Sequence, residues 1–177
     1  ITLLSVPFLA KASESEEIAA PPVKEWSFLV FINGHNNLDP FGAININQME
    51  QVGSTRDVNV VVQWASLENG NTRRLLVRKD NDTDKVTSPT LQEMGKVDMG
   101  DWHNLVEFVK WAHANYPAKR YFLNVWNHGT GWNDLKLNSV RGAPVFSPTD
   151  ISLDDLSCNA ITTLQLGQAM DEIARTI

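Results

Sequence analysis

Short, nearly continuous apolar runs recur along the chain from residue 26 onward. Runs of this kind are typical of strands that are buried on both faces of a sheet. They span residues 26–32, 58–64 and 121–126. Asn69-Gly70 follows the second run and favours a tight hairpin to a further strand at residues 72–78. Residues 79–100 have no clear period and predict a long surface loop.

Two segments between these runs have the period of an amphipathic helix. Asp39 followed by Pro40 predicts an N-cap and a first helical residue, and this helix is expected to run to about Val52. Its predicted packed side consists of Phe41, Ile44, Met49 and Val52. Asp101 predicts the cap of a second helix over residues 102–115. The packed side predicted for that helix consists of Trp102, Leu105, Val106, Val109 and Ala112.

A third helix is predicted at the end of the chain. Thr162 and Gln165 have the spacing of a capping box. The packed side predicted for this helix consists of Leu166, Met170, Ile173 and Ile177. Helices that alternate with apolar strands predict an α/β sandwich with a mostly parallel sheet. Another strand normally follows a helix in such a fold, so we expect the sheet to be incomplete in this chain.

The first residues differ in character from the rest. An apolar stretch from Ile1 to Leu9 is followed by Ala10-Lys11-Ala12 and then by an acidic run from Ser13 to Glu17. This pattern resembles the end of a secretory signal and predicts a secreted or periplasmic protein. A disordered or docked N-terminal arm fits the same residues. We therefore predict a signal-peptide remnant and linker at residues 1–25, and the N-terminal part of one domain at residues 26–177.

Length, charge and cysteine content exclude several classes of function. The chain has 177 residues, which is enough for one domain with a packed core. Its net charge of −6 argues against binding to nucleic acid or to an anionic membrane. Residues 1–10 are too short to cross a bilayer, and no other stretch is long enough, so we predict no membrane span. With one cysteine, the chain forms neither an intrachain disulfide nor a cysteine-rich zinc site.

Chemistry is expected where the parallel strands end, because function gathers at the carboxyl ends of strands in open parallel sheets. Three loops qualify, at residues 33–39, 65–71 and 127–134. The third holds His128 directly after a buried strand, with Gly129 next. Histidine suits proton transfer near neutral pH, and glycine lets a substrate carbonyl approach a backbone N–H. The alternative for His128 alone is a histidine that caps a strand and bonds a loop carbonyl.

Several longer segments carry a family resemblance. They are NGHNNLDP (33–40), VNVVVQW (58–64), NTRRLLVRKDND (71–82), KVDMGDWHNLVEFVKWAHANYPAKRYFLNVWNHGTGW (96–132) and ISLDDLSCNAITTLQLGQAM (151–170). On these residues the chain resembles the clostripain family of cysteine peptidases, which belong to clan CD. The resemblance implies a caspase-like α/β/α sandwich. It also implies an endopeptidase in which His128 is the general base that partners a cysteine thiolate, with the Gly129 N–H at the oxyanion.

The resemblance also implies partners that this chain does not contain. The family nucleophile follows a later strand in an Asp-Ala-Cys triplet, which is absent here and is expected beyond residue 177. The expected partners are a polypeptide substrate, cleaved after Arg or Lys, and the remainder of the same chain or a heavy chain that carries the cysteine. Family members resemble one another in being cut into two associated chains, and Lys136 and Arg141 are the candidate cleavage sites. We expect the chain alone to be inactive.

No cofactor is required for such chemistry. A calcium ion is an alternative requirement to which the sequence assigns no residue, and the sequence assigns no substrate-binding residue either. Cys158 is predicted to be incidental, because neighbouring aspartates disfavour a thiolate. His35 is predicted to be a solvated loop histidine. The alternatives are a metal-dependent hydrolase with His35, Asp39, His128 and Asp154 as ligands, and a non-catalytic binding module.

Overall fold

The computed structural model describes residues 21–129 and 150–177. Within these residues the chain forms seven strands and three helices. In chain order they are β1 (Lys24–Gly34), α1 (Asp39–Glu50), β2 (Val58–Ser66), β3 (Thr72–Leu76), β4 (Thr90–Gly95), α2 (Trp102–Asn115), β5 (Ala118–Trp126), β6 (Asp150–Asp154), β7 (Asn159–Thr162) and α3 (Thr163–Thr176). None of these helices is long and apolar enough to cross a membrane.

The central sheet has its parallel strands side by side. In the described part of the chain its order is β4-β3-β2-β1-β5, and β6 and β7 form a separate two-stranded hairpin. β1 pairs in parallel with β2 and with β5, whereas β3 and β4 add to β2 as antiparallel strands. The predicted α/β class with a mostly parallel, unclosed sheet is confirmed. β5 lies at the outer edge of the described sheet.

Alternate residues of β1 face two separate cores, which explains its unbroken apolar sequence. Leu29 and Phe31 pack with α2 and α3 on one face of the sheet. Val30 and Ile32 pack with Ile46 of α1 on the other face. The helices therefore cover both faces, and the loops at the carboxyl ends of the strands are left to form a site.

The predicted start of α1 is wrong, and of its predicted packed side Met49 alone packs against the core. Leu38 occupies the N-cap position without a side-chain cap bond, so Asp39 is already helical. The buried residues are Gly42, Ile46 and Glu50, while Phe41, Ile44 and Val52 are 51%, 49% and 68% exposed. A Cβ on Gly42 would lie 2.8 Å from the Trp64 indole nitrogen, so the helix packs closely only through a glycine.

Glu50 completes the unexpected packed side of α1. Its carboxylate accepts the backbone N–H groups of Thr87 and Ser88 at 3.0 and 2.7 Å. A fully buried glutamate therefore anchors the segment that leads to β4. Hydrophobic periodicity does not reveal a packed side built from a glycine and a hydrogen-bonded carboxylate.

The caps of the other two helices are confirmed. Asp101 accepts the His103 N–H at the start of α2, which has the predicted bounds. Thr162 and Gln165 form the predicted capping box of α3. The predicted packed side of α3 is half right, because Ile173 is buried and Leu166 packs against the same core, while Ala169 is buried without having been predicted. Met170 and Ile177 are 37% and 40% exposed.

Two features of the sheet differ from the prediction. The predicted loop at residues 79–100 contains β4, whose residues are largely exposed and so lack the alternation of a half-buried strand. The hairpin of β6 and β7 was not predicted either. Its register is irregular between Ile151 and Asp154, and Ser152 has a left-handed backbone with φ 59°.

Candidate active site

The carboxyl ends of β1, β2 and β5 meet at one edge of the sheet because these strands are parallel. His128 follows β5 after one intervening residue and is exposed. Its Nε2 is 2.7 Å from Oδ1 of Asn37, which lies in the loop after β1. With Oδ1 as acceptor, Nε2 carries the proton and Nδ1 remains able to accept one. The loop after β1 and the residues directly after β5 therefore contact each other.

The side chain of Asn127 fixes the backbone at the start of His128. Its side-chain oxygen accepts the N–H of His128. Its Nδ2 donates to the carbonyl oxygens of Asn33 at 3.0 Å and Leu153 at 2.9 Å. The same carboxamide thus contacts three separate segments of the chain.

Gly129 is exposed and forms an isolated antiparallel bridge with Ile151 of β6. A Cβ added to it would meet no described atom within 4 Å. Packing against the described residues therefore does not demand glycine at this position. The expected role of its N–H at an oxyanion stays a prediction.

The predicted solvated position of His35 is wrong. Its side chain is buried, with 1% of the residue exposed, and Nδ1 donates to Asp154 Oδ2 at 2.8 Å. The partner comes from the unpredicted hairpin, far away in sequence. No pattern around His35 signals it, because the contact depends on how β6 packs beside β1.

Asp154 is fully buried and accepts several hydrogen bonds. Besides His35, its carboxylate accepts the N–H groups of Met99, Leu156 and Ser157 at 2.9, 2.9 and 3.0 Å. Burial on its own would raise the pKa of the Asp154 carboxyl. The bonds from His35, Met99 and Ser157 outweigh burial and hold that pKa below its usual value.

A cleft of about 420 Å³ adjoins the His35–Asp154 pair. Its lining includes Lys96, Asp98 and Leu156. His35 Nε2 is buried beside this cleft and has no hydrogen-bond partner among the described residues. Both carboxylate oxygens of Asp98 accept hydrogen bonds, one from the Ser157 hydroxyl at 2.6 Å and the other from the Asn159 amide at 2.8 Å.

The four ligands of the metal-hydrolase alternative do not form one set. His35 and Asp154 are bonded to each other, whereas His128 bonds Asn37. In residues 21–129 and 150–177, no group of three or more His, Cys, Asp or Glu side chains could hold a metal ion. The geometry therefore gives this alternative no support.

Cys158 lies at the turn between β6 and β7 and is exposed. Its sulfur donates to the Asp155 carbonyl at 3.7 Å, within its own turn. Its backbone is left-handed, with φ 53°. Its observed contact is therefore with its own turn rather than with His128.

Two further sets of predictions, the signal remnant before residue 21 and the cleavage sites at Lys136 and Arg141, fall outside the described residues.

The fold is similar to that of several solved proteases. A B. fragilis cysteine protease is 24% identical with TM-score 0.52, over 66% of this chain and 99% of that chain. A secreted C11 cysteine protease from Bacteroides thetaiotaomicron, in complex with an irreversible peptide inhibitor, is 22% identical with TM-score 0.62, over 84% of this chain and 39% of that chain. A clostripain from Bacteroides thetaiotaomicron, in complex with the peptide inhibitor BTN-VLTK-AOMK, is 17% identical with TM-score 0.53, over 65% of this chain and 99% of that chain.

The chain thus spans nearly all of two of these chains but about two fifths of the secreted one. None of the curated proteins compared with it matches. Residues 30–175 match the model of the clostripain family, peptidase family C11. That match covers well over half of the sequence and includes β5, His128 and the β6–β7 hairpin. The chain therefore belongs to the clostripain family, and the solved proteins that share its fold are cysteine proteases.

Proposed function

We propose that the chain supplies the general base of a cysteine endopeptidase and that His128 is this base. The observation that carries the proposal is the bond of His128 Nε2 to Asn37, which leaves Nδ1 able to accept a proton. The chain has one cysteine, and that residue is bonded within its own turn. We therefore assign the nucleophile to a cysteine beyond residue 177 or on a second chain, next to the exposed edge of β5.

In this mechanism, Nδ1 of His128 takes the proton of the cysteine thiol, and the thiolate attacks the carbonyl carbon of the scissile peptide bond. The resulting imidazolium gives its proton to the leaving amine, which completes the acyl-enzyme. His128 then takes a proton from water while the water oxygen attacks the thioester carbon. The C–S bond breaks and releases the acid, and the imidazolium returns its proton to the thiolate. Asn37 holds the ring during these transfers, and the Gly129 N–H donates to the oxyanion.

We propose cleavage after Arg or Lys. Family membership supports this preference, and the peptide of one inhibitor bound to a structural neighbour ends in lysine. An acidic group that recognises the cationic side chain is expected beside the missing cysteine. Secretion is part of the same proposal, supported by the apolar first residues and by the description of one neighbour as secreted.

The test uses the full-length protein and peptides that end in Arg, Lys or Glu before a fluorogenic group. We expect turnover of the Arg and Lys peptides, and a fall in kcat/KM of about 10²–10⁴-fold in the His128→Ala variant. His103→Ala is the matched control, because His103 is another exposed histidine bonded to a side chain, Asp101. Unchanged turnover in His128→Ala would refute the assignment of the base. Absence of both turnover and labelling by an arginine-derived thiol-directed inhibitor would favour a binding module instead.

A further inference from the structure

Three asparagine side chains converge on one backbone oxygen beside the histidine. The Leu153 carbonyl of β6 accepts Nδ2 of Asn33 at 2.9 Å, of Asn36 at 2.8 Å and of Asn127 at 2.9 Å. Asn33 and Asn36 belong to the end of β1 and its loop, whereas Asn127 follows β5. The hairpin therefore joins the two segments that bear Asn37 and His128.

Each of these asparagines also makes a second bond within the site. Asn127 Nδ2 reaches the Asn33 carbonyl at 3.0 Å while its oxygen accepts the His128 N–H. Asn36 Oδ1 accepts the Leu38 N–H at 2.9 Å, which fixes the backbone on both sides of Asn37. Asn33 and Asn36 are 0% and 1% exposed, so water does not replace these partners.

The position of the Leu153 carbonyl follows from an unusual backbone conformation at the preceding residue, Ser152. Ser152 is fully buried and has φ 59°, a left-handed conformation that costs free energy for a residue with a Cβ. Its hydroxyl donates to the Met99 carbonyl at 2.9 Å and accepts Asn33 Nδ2 at 3.1 Å. These bonds hold the left-handed turn, and the turn sets the position of the carbonyl that follows.

We propose that this brace, made of Ser152, the Leu153 carbonyl and the carboxamides of Asn33, Asn36 and Asn127, sets the position of His128 against Asn37. The inference rests on the proposed function of His128 and extends it to Asn127 and Ser152. Both act as positioning residues: Asn127 acts through the backbone N–H of His128, and Ser152 acts through the Leu153 carbonyl.

The first measurement is steady-state kinetics of the full-length protein. In Asn127→Ala the backbone N–H of His128 loses its bond to the Asn127 side chain. We expect the displaced histidine to lower kcat by about 10–100-fold, with KM nearly unchanged. Asn124→Ala is the matched control, because Asn124 is an exposed asparagine of β5, the strand that Asn127 follows. We expect wild-type kcat for it. Equal kcat in the wild type and Asn127→Ala, or an equal loss in both variants, overturns the proposal.

The second measurement is amide hydrogen exchange, which does not depend on turnover. We expect Asn127→Ala to lose protection in residues 33–38 and at His128, while the core of α2 keeps it. Unchanged protection in residues 33–38 overturns the proposal even if kcat falls. A protein that lacks turnover, or keeps it in His128→Ala, refutes the proposed function instead and leaves this exchange measurement to decide on the brace.

Ser152 gives a separate test that does not depend on the folding of the Asn127 variant. Ser152→Gly and Ser152→Ala both lose the hydroxyl, but only glycine adopts the left-handed backbone without cost. We expect kcat to decrease in the order wild type, Ser152→Gly, Ser152→Ala, with KM nearly unchanged. An alanine variant as active as the glycine variant contradicts the role of the left-handed turn.

Discussion

At the scale of single residues, buried polar side chains hold the site together more than apolar contacts do. Asp154 satisfies both carboxylate oxygens with donors from His35, Met99, Leu156 and Ser157. Such a group is costly to disturb, because a buried donor that loses its partner has no water to replace it. The same residue makes stability depend on pH.

Asp154→Asn is expected to lower the free energy of unfolding at pH 7 by about 1–3 kcal/mol, because an amide has a single acceptor oxygen and so leaves one pair of the four donors without a partner. The folded-state pKa of Asp154 lies below the usual 3.8. The carboxylate therefore stabilises the fold above about pH 4, and this contribution is lost as pH falls through the folded value. Urea unfolding at pH 7, 4 and 3 checks both effects. Asp57→Asn, at an exposed ion pair, should change little, and an equal loss there would contradict the argument from burial.

These residues also mark the limit of what the sequence predicts about the site. His128 could be selected as a candidate because it closely follows an apolar strand. His35 and Asn127 could not be assigned, because their partners lie on a hairpin whose strands have mixed polarity and an irregular register. Proximity of that kind comes from tertiary packing, and one sequence contains no local signal for it.

At the scale of elements, the apolar strands and the caps of two of the three described helices were predicted well, because their signals are local. Asp101 caps α2, and the capping box begins α3, as the sequence predicts. The packed side of α1 was not predicted, since glycine and glutamate occupy positions where a hydrophobic pattern expects aliphatic residues. β4 was not predicted because an exposed edge strand needs no apolar alternation.

Two glycine-to-alanine substitutions in helices are expected to have opposite effects. A Cβ at Gly42 would lie 2.8 Å from the Trp64 indole, and we expect Gly42→Ala to destabilise the fold by about 1–3 kcal/mol through overpacking. A Cβ at Gly167 in α3 meets nothing within 4 Å, so Gly167→Ala should stabilise the fold by about 1 kcal/mol through helix propensity. Thermal unfolding of both variants tests this, and effects of the same sign would contradict the close contact of α1 with the sheet.

At the scale of the whole molecule, the described sheet has an exposed edge at β5. Phe122 of β5 is 50% exposed and packs against Phe28 of β1, with ring centroids 5.2 Å apart. Backbone groups along an edge strand are free to pair with a further strand. The nucleophile proposed above would enter the site at this edge.

The 177-residue chain expressed alone is therefore expected to hydrolyse none of the Arg or Lys peptides. Activity should return when it is co-expressed with the remainder of the protein, which carries the proposed cysteine. The same co-expression with His128→Ala serves as the control and should stay inactive. Turnover by the isolated chain would contradict the placement of the nucleophile outside it.

The contacts that flank residues 130–149 bear on what a cut in that segment would do. On its amino-terminal side, Asn127 is bonded to Leu153 and Gly129 is bridged to Ile151. On its carboxyl-terminal side, the hairpin is bonded to the loop after β1 through the His35–Asp154 contact. A protein nicked at Lys136 or Arg141 would keep all of these contacts, so its two pieces should separate in denaturing electrophoresis and migrate together in size-exclusion chromatography. A continuous chain between His128 and the β6–β7 hairpin is then dispensable once the protein has folded.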